Sequence, residues 1–523
     1  MRNFILKIYT QFYHLLLFFR RSYLVGIFFA VIFILIFGNQ AFTTDYYVDS
    51  EVIINIPKTN YNWLSIGRFG LVFLRHLLGT SWHNPYYTGI LFLFFLWLTA
   101  MTFYYVLSKL FPKTSSCIVV FAVAIFLTYP TFFEQYYFQF QSAEITFCLW
   151  LTAISTGMLY LFLHTRAYMW FVLPIPIYII TFATYQSFIP LTLCTYAAVL
   201  LVFTYKEFLN KQSPARNNLL TFLLVGLQFL LAFGIMQAIN KFCFPTETYL
   251  SDQIIWTNEY SHLHNLFDIL LLCLSTFIGS GFFNTSLFMV SFFISFALLV
   301  RKLPKGFCNK LQIIFLYLAI GIAPYLLFFI LGKNTAIRTQ FTMPFSCIIF
   351  LLMAYEFAAV DFHFLKSRKY IVPLLMLLPL SIQFGMYHKA YTIKSIIQKN
   401  DKEIAIELLD VMYTSWAIKD SCPVIFWGGM QTPTPYDDFI SGIPAYSFLS
   451  VYNLEYQMEP YSFFSSNRIL GYLESMGHKF IYPTSKSRSH SEYIIQIENL
   501  PSYPNDGFLH NSPNGVTIRL SPN

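Results

Sequence analysis

The sequence predicts an all-α polytopic membrane protein of about eleven transmembrane helices, followed by a small α+β C-terminal domain. Three observations carry that prediction. Only 11% of the 523 residues are charged and 56% are hydrophobic, whereas a soluble domain carries about 25% charged residues. Apolar runs near the ~20 residues that a helix needs to cross a bilayer recur until about residue 389. Aromatic residues make up 20%, with 60 Phe and 37 Tyr, as suits lipid-facing helices ending in interfacial belts. Disordered, collagen-like and secreted disulfide-scaffold classes are excluded. The net charge of +8 sits largely in short Lys/Arg loops between apolar runs, so it reports topology and no nucleic-acid surface. Cysteines Cys117, Cys148, Cys194, Cys273 and Cys347 lie in apolar stretches, where a thiol acts as a small hydrophobe. With no CxxC or Cys/His zinc spacing, neither a disulfide framework nor a structural zinc site is expected.

The first span, Tyr23 to Phe42, follows Lys7, Arg20 and Arg21. Its run is longer than a signal-peptide core and no small-residue cleavage pattern closes it, so a retained anchor with a cytoplasmic N-terminus is expected. Further spans are expected near 87–108, 116–133, 143–163, 167–184, 187–205, 219–240, 284–300, 311–331, 341–360 and 370–388. Lys109 and Lys113, then His164 and Arg166, then Lys206, Lys211 and Arg216 mark cytoplasmic turns. The intervening outer loops carry Asp45, Asp49, Glu51, Glu134 and Glu144. Phe267 to Gly279 is short, and counting it as a span would put Arg301, Lys302, Lys305 and Lys310 outside, so a re-entrant or interfacial segment is expected there. Asp361 to Lys369 then falls in the cytoplasm. The resulting division is a transmembrane domain over 1–389 and an extracytoplasmic domain over 390–523, in a multi-pass membrane protein. Within the second domain, Lys394 to Ile418 reads as an amphipathic helix with Ile396, Ile397, Ile404, Leu408, Val411 and Met412 on one stripe. Val424–Trp427 and Tyr493–Ile497 read as β-like runs.

The candidate chemistry gathers in the outer loops. Asp45, Asp49 and Glu51 put three carboxylates into seven residues of a charge-poor chain. Asp45 and Asp49 share a face if this segment is helical. A carboxylate at the lipid–water boundary, made more basic by partial burial, is suited to taking a proton from a sugar hydroxyl; a solvated loop obeying topology is the plainer alternative. Arg68 follows in Tyr61-Asn62-Trp63-Leu64-Ser65-Ile66-Gly67-Arg68, a cation able to bind phosphate or neutralise an acid. Phe69 to Leu78, with Arg75 and His76, is too short to span and reads as an interfacial helix, for which a snorkelling arginine would be a simple anchor. Lys333 and Arg338 are cations in a short outer loop where the topology rule expects few. They can hold the phosphate of a lipid-linked substrate and stabilise it as a leaving group, or serve as interface anchors.

Glu134 and Glu144 flank an alternation of aromatics and amides that can line a sugar site, although interfacial belts have the same composition. His262 and His264, near Glu259, can share a metal only in an extended segment, so a plain loop is expected. Asp437 and Asp438 are explained by a Pro-flanked surface turn. The absence of Walker, GxSxG and HExxH motifs argues against nucleotide hydrolysis and the common hydrolase mechanisms.

Taken in order, TTDYYVDSEVIINIP, YNWLSIGRFG, YPTFFEQYYFQF, IRTQFTMPF and the ending YPNDGFLHNSPNGVTIRL resemble the bacterial glucosyltransferase II family, membrane enzymes related to the O-antigen serotype-converting glucosyltransferases. The resemblance spans most of the chain. It implies a GT-C-like architecture, a polyprenyl-phosphate sugar donor (undecaprenyl-phosphate glucose) and a cell-surface glycan acceptor. The acidic pair of the pattern falls on Asp45 and Asp49, with Glu51 close by. Relatives often place two adjacent acids before an aromatic, and here they are separated, so which acid is the base stays open. The pattern's Gly-Arg falls on Gly67 and Arg68, and its late arginine on Arg338. The expected reaction is one inverting displacement, with Asp49 or Asp45 as base and Arg338, Lys333 and Arg68 receiving the phosphate. No cofactor is required by this scheme, and dependence on a divalent metal stays open. Two rivals remain: a lipid-linked sugar flippase or transporter, whose site would sit near the bilayer midplane, and a polysaccharide polymerase.

Overall fold

The computed structural model describes residues 2–43, 46, 50–55, 61–82, 84–209, 215–244, 254, 256, 262–281, 283–303, 307–361, 371–414, 422–428, 447–449, 462–497 and 499–520. It is a mostly helical, multi-pass type of protein with a small strand-containing C-terminal region. The chain folds as two compact units. The first holds Met1–Thr43, Tyr61–Thr80 and Asn84–Tyr387, and the second holds Thr44–Asn60, Ser81–His83 and His388–Asn523.

Among the described residues, seven helices are long and apolar enough to cross a membrane: Tyr23–Ala41, Pro85–Leu110, Gln139–Thr165, Phe188–Glu207, Leu220–Cys243, Lys310–Leu331 and Ile371–Thr414. The four other expected spans are also apolar helices, but shorter: Ser116–Leu127, Met169–Thr184, Leu287–Arg301 and Thr342–Ala358. The first of these stops just before Tyr129-Pro130, where the proline ring disfavours a helical residue ahead of it. The ambiguous segment forms a 17-residue helix, His262–Ile278. It ends at Gly279, whose φ of +96° suits glycine and whose Cβ, if it had one, would lie 2.4 Å from the Ser286 nitrogen. Phe69–Leu78 is a 10-residue helix, as its length predicts.

Close backbone approach organises this unit. A Cβ at Gly89 would lie 1.9 Å from the Ala41 carbonyl oxygen, so the helices Tyr23–Ala41 and Pro85–Leu110 meet where only glycine fits. Gly70 does the same for the short helix Phe69–Leu78, with the Ile180 carbonyl oxygen 2.5 Å from where a Cβ would be. Polar side chains add hydrogen bonds between helices: the Trp97 indole donates to Gly26 O at 2.9 Å, and Trp150 to Thr102 Oγ1 at 3.2 Å.

One helix of 44 residues, Ile371–Thr414, contributes to both units. The span and the amphipathic helix expected separately are therefore continuous. His388 to Ile393 contains no glycine or proline to stop the helix, and Pro379 lies inside its apolar part. In its second part, Ile393, Ile397, Leu408 and Met412 are buried.

The second unit is built on a three-stranded sheet of β1 (Val424–Trp427), β2 (Leu509–Ser512) and β3 (Gly515–Arg519), in the order β1-β3-β2. β1 runs parallel to β3 with Val424 opposite Val516, and β2 runs antiparallel to β3 with Asn511 opposite Val516. Leu408, Met412, Phe426, Leu470, Leu473 and Ile518 form part of its core. Tyr493–Ile497, expected as a β-like run, belongs instead to the helix Ser485–Ile497. Ile494 and Ile495 are buried with Leu500 against Trp427. A short apolar run does not by its pattern distinguish strand from helix, and tertiary packing decided this one.

Candidate functional site

The first unit brings together two of the residues singled out by the sequence. The five-residue helix Phe132–Tyr136 carries Glu134, and the 3-10 turn Ile337–Thr339 carries Arg338. The Arg338 backbone N–H donates to Glu134 Oε2 at 2.8 Å, and its guanidinium Nη1 lies 3.5 Å from Glu134 Oε1. The acid side chain is 6% exposed and the arginine 36%. The guanidinium also sits 6.0 Å from the centre of the Phe138 ring. Phe132 stacks on Phe341 at 5.4 Å, Phe341 meets Tyr185 at 5.7 Å, and Arg68 lies over the Tyr185 ring at 5.0 Å. A run of rings thus connects Arg68 to the Glu134–Arg338 pair. Cations stacked on rings are partly desolvated and held in place. Lys333 is half-buried in the same loop as Arg338 and takes no part in that pair. It follows Gly332, whose φ of +76° turns the chain beneath Trp256.

The sequence reading missed a buried cluster beside these residues. Arg75 is 1% exposed, and its guanidinium donates to Phe140 O and, at 2.5 Å, to Thr80 O. It also lies 5.1 Å from the Trp63 ring centre. Glu144 accepts a hydrogen bond from Thr80 Oγ1. The snorkelling picture therefore fits neither arginine of this segment: Arg75 is enclosed, and Arg68 stacks on an aromatic ring. Glu144, expected in an outer loop, is fully buried inside the helix Gln139–Thr165, because only Tyr137 and Phe138 separate that helix from the one before it. The signal available in the sequence was a charged residue within each of two apolar helices.

The second unit holds the acidic loop. Asp45 and Asp49 lie outside the described residues, and so does the expectation that they share a helical face. Tyr46 and Ser50–Asn55, beside them in sequence, are described. Ser50–Asn55 forms a six-residue helix with Glu51 in its first turn. Glu51 is 1% exposed and pairs at 2.6 Å with Arg468, itself 8% exposed, on the helix Ser462–Ser475. Asn55 Nδ2 donates to Gly471 O at 2.8 Å, and the Tyr46 hydroxyl donates to Ser475 O at 2.8 Å. Gln398 Nε2 donates to Tyr46 O at 2.9 Å. Burial pushes the Tyr46 hydroxyl pKa upward, which keeps it a donor. A Cβ at Gly471 would lie 3.1 Å from Glu51 Cγ, so that position has little room for a side chain.

Among the described residues, no three His, Cys, Asp or Glu side chains gather as a metal site. His262 and His264 open a helix rather than sitting in a loop, and His264 lies 3.5 Å from Asp268 one turn on. Glu259, Asp437 and Asp438 are outside the described residues.

The family model for glucosyl transferase GtrII matches residues 38–356, more than half of the chain. The chain belongs to that family. The matched segment takes in the acidic loop, Arg68, Glu134, Lys333 and Arg338, while Arg468 and its helix lie beyond it. No curated protein and no solved structure matches the chain. Membership of GtrII, together with the apolar helices, makes this a membrane glucosyltransferase by class.

Proposed function

We propose that this GtrII protein transfers glucose from a polyprenyl-phosphate donor to a glycan acceptor by a single inverting displacement. The acceptor oxygen attacks the anomeric carbon as the bond from that carbon to the phosphate oxygen breaks. Polyprenyl phosphate leaves, and the acceptor's proton passes to a carboxylate of the acidic loop. Glu51 is already neutralised by Arg468, so Asp45 or Asp49 is the base. Arg338, with Arg68 and Lys333, receives the developing charge on the phosphate. Fixed cations of this kind act without reorganising at the moment of reaction. We further place the N-terminus in the cytoplasm and the acceptor on the outer face of a bacterial plasma membrane.

The observation that carries this reading is the GtrII match across both aspartates and Arg338. The double hold on Glu134, through the backbone and the guanidinium of Arg338, supports it by giving that cation a fixed position. Transfer from synthetic polyprenyl-phosphate glucose in vesicles tests it, comparing wild type with Asp45→Asn, Asp49→Asn and Arg338→Ala. One aspartate change is expected to lower transfer by about 10²–10⁴-fold, the range that a general base contributes. Full activity with both aspartates neutralised would remove the mechanism. A wild type that moves the donor between leaflets without consuming it would make the protein a transporter.

A further inference from the structure

We propose that Arg468 is a positioning residue for the acidic loop, fixing through Glu51 the place from which the loop's aspartates act. The proposal rests on the assignment of the base to Asp45 or Asp49. Arg468, Gly471, Tyr472 and Ser475 recur at helical spacing and present one stripe of the helix Ser462–Ser475. Every member of that stripe meets the loop or its helix. Arg468 pairs with Glu51, Gly471 accepts from Asn55, the Tyr472 ring lies edge-on to Tyr46 at 6.0 Å, and Ser475 accepts from the Tyr46 hydroxyl. Gln398 holds the Tyr46 carbonyl from the helix Ile371–Thr414. Asp45 directly precedes Tyr46, and Asp49 directly precedes Ser50. In sequence, Asp45 is thus one residue from the held Tyr46 and Asp49 two residues from the held Glu51.

The chemistry of the anchor argues for register as well as attachment. A buried ion pair is weak evidence for added stability, and its best attested use is to fix one arrangement over its neighbours. Glu51 meets the Arg468 guanidinium at 2.6 Å, and Gly471 leaves room for its side chain. The stripe lies outside the GtrII match, and the loop it holds lies inside it. The C-terminal region would then be part of what tunes the reaction in this chain.

The test uses the full-length protein in vesicles with synthetic polyprenyl-phosphate glucose, read by transfer kinetics and by hydrogen exchange of residues 46–55. Arg468→Met should speed exchange in Ser50–Asn55 while β1 and β3 stay protected. It should also lower kcat by about 10²-fold, the loss expected for a misplacement near 1 Å, with the donor KM little changed. Arg468→Lys should recover part of that loss. If Arg468→Met does not fold, Arg468→Lys and Tyr46→Phe decide by the same two readouts. Faster exchange with unchanged kcat overturns the proposal in favour of a merely structural anchor, and no change in either readout overturns it outright. Those outcomes count in an enzyme that the paired Asp45→Asn and Asp49→Asn changes inactivate; an enzyme indifferent to both aspartates fails at the base assignment instead.

Discussion

The chain contains two glutamate–arginine pairs of the same chemistry in opposite circumstances. Glu51 and Arg468 approach to 2.6 Å, and both are nearly sealed from solvent. Glu134 and Arg338 stand 3.5 Å apart with the arginine over a third exposed. In the first pair both charges are shut away from water, so losing the partner's charge is costly. In the second, the guanidinium retains a face toward solvent while the backbone N–H of the same residue also holds the acid. The contrast teaches that an ion pair's job is set by what surrounds it. A sealed pair holds the chain in register, and an open one presents a cation to something else.

The strongest way to break that contrast is to remove the arginine from each pair. Arg468→Met should lower stability by about 3–5 kcal/mol, since it removes the cation paired with the buried Glu51 carboxylate. Arg338→Met should cost less than that, because the backbone N–H of residue 338 still holds the Glu134 carboxylate, while sharply reducing transfer. Thermal unfolding in detergent compares the two, and equal losses would end the distinction. A second buried arginine sharpens it: Arg75→Met removes charged hydrogen bonds to Phe140 O and Thr80 O and should cost about 2–3 kcal/mol. The smallest effect concerns salt. Going from 0.1 M to 1 M shortens the screening length from about 10 Å to about 3 Å. The donor KM should rise several-fold through the exposed Arg338, while the melting behaviour set by Glu51 and Arg468 should barely move.

Much of the membrane-embedded architecture was legible because it depends on local composition. Every expected span holds an apolar helix, and ten residues were enough to read Phe69–Leu78 as too short to cross. What escaped was the partnership between residues. Glu134 and Arg338 each stood out, but 204 positions separate them and nothing local says that they touch. Glu144 sits at the end of a span, where one turn decides between loop and buried helix. Arg75 looked like an interface anchor because one of its enclosing groups, Phe140, comes from 65 residues away. Nor does any pattern in the Asp-rich loop announce a helix more than four hundred residues downstream as its holder.

That last separation has a consequence for how the protein is made. Asn55 and Gly471 lie 416 residues apart, and chains grow at about 5–20 residues per second. Residue 471 is therefore added roughly 20–80 s after residue 55 at those rates. Until then the segment carrying Asp45 and Asp49 lacks its contacts with the helix Ser462–Ser475. The finished fold thus ties the acidic loop to a segment synthesised long after it, and a chain interrupted before the helix Ser462–Ser475 would carry every residue of the GtrII match without the stripe that holds the loop. Synthesis through that helix becomes a condition for assembling this part of the enzyme, a temporal safeguard written into contact order.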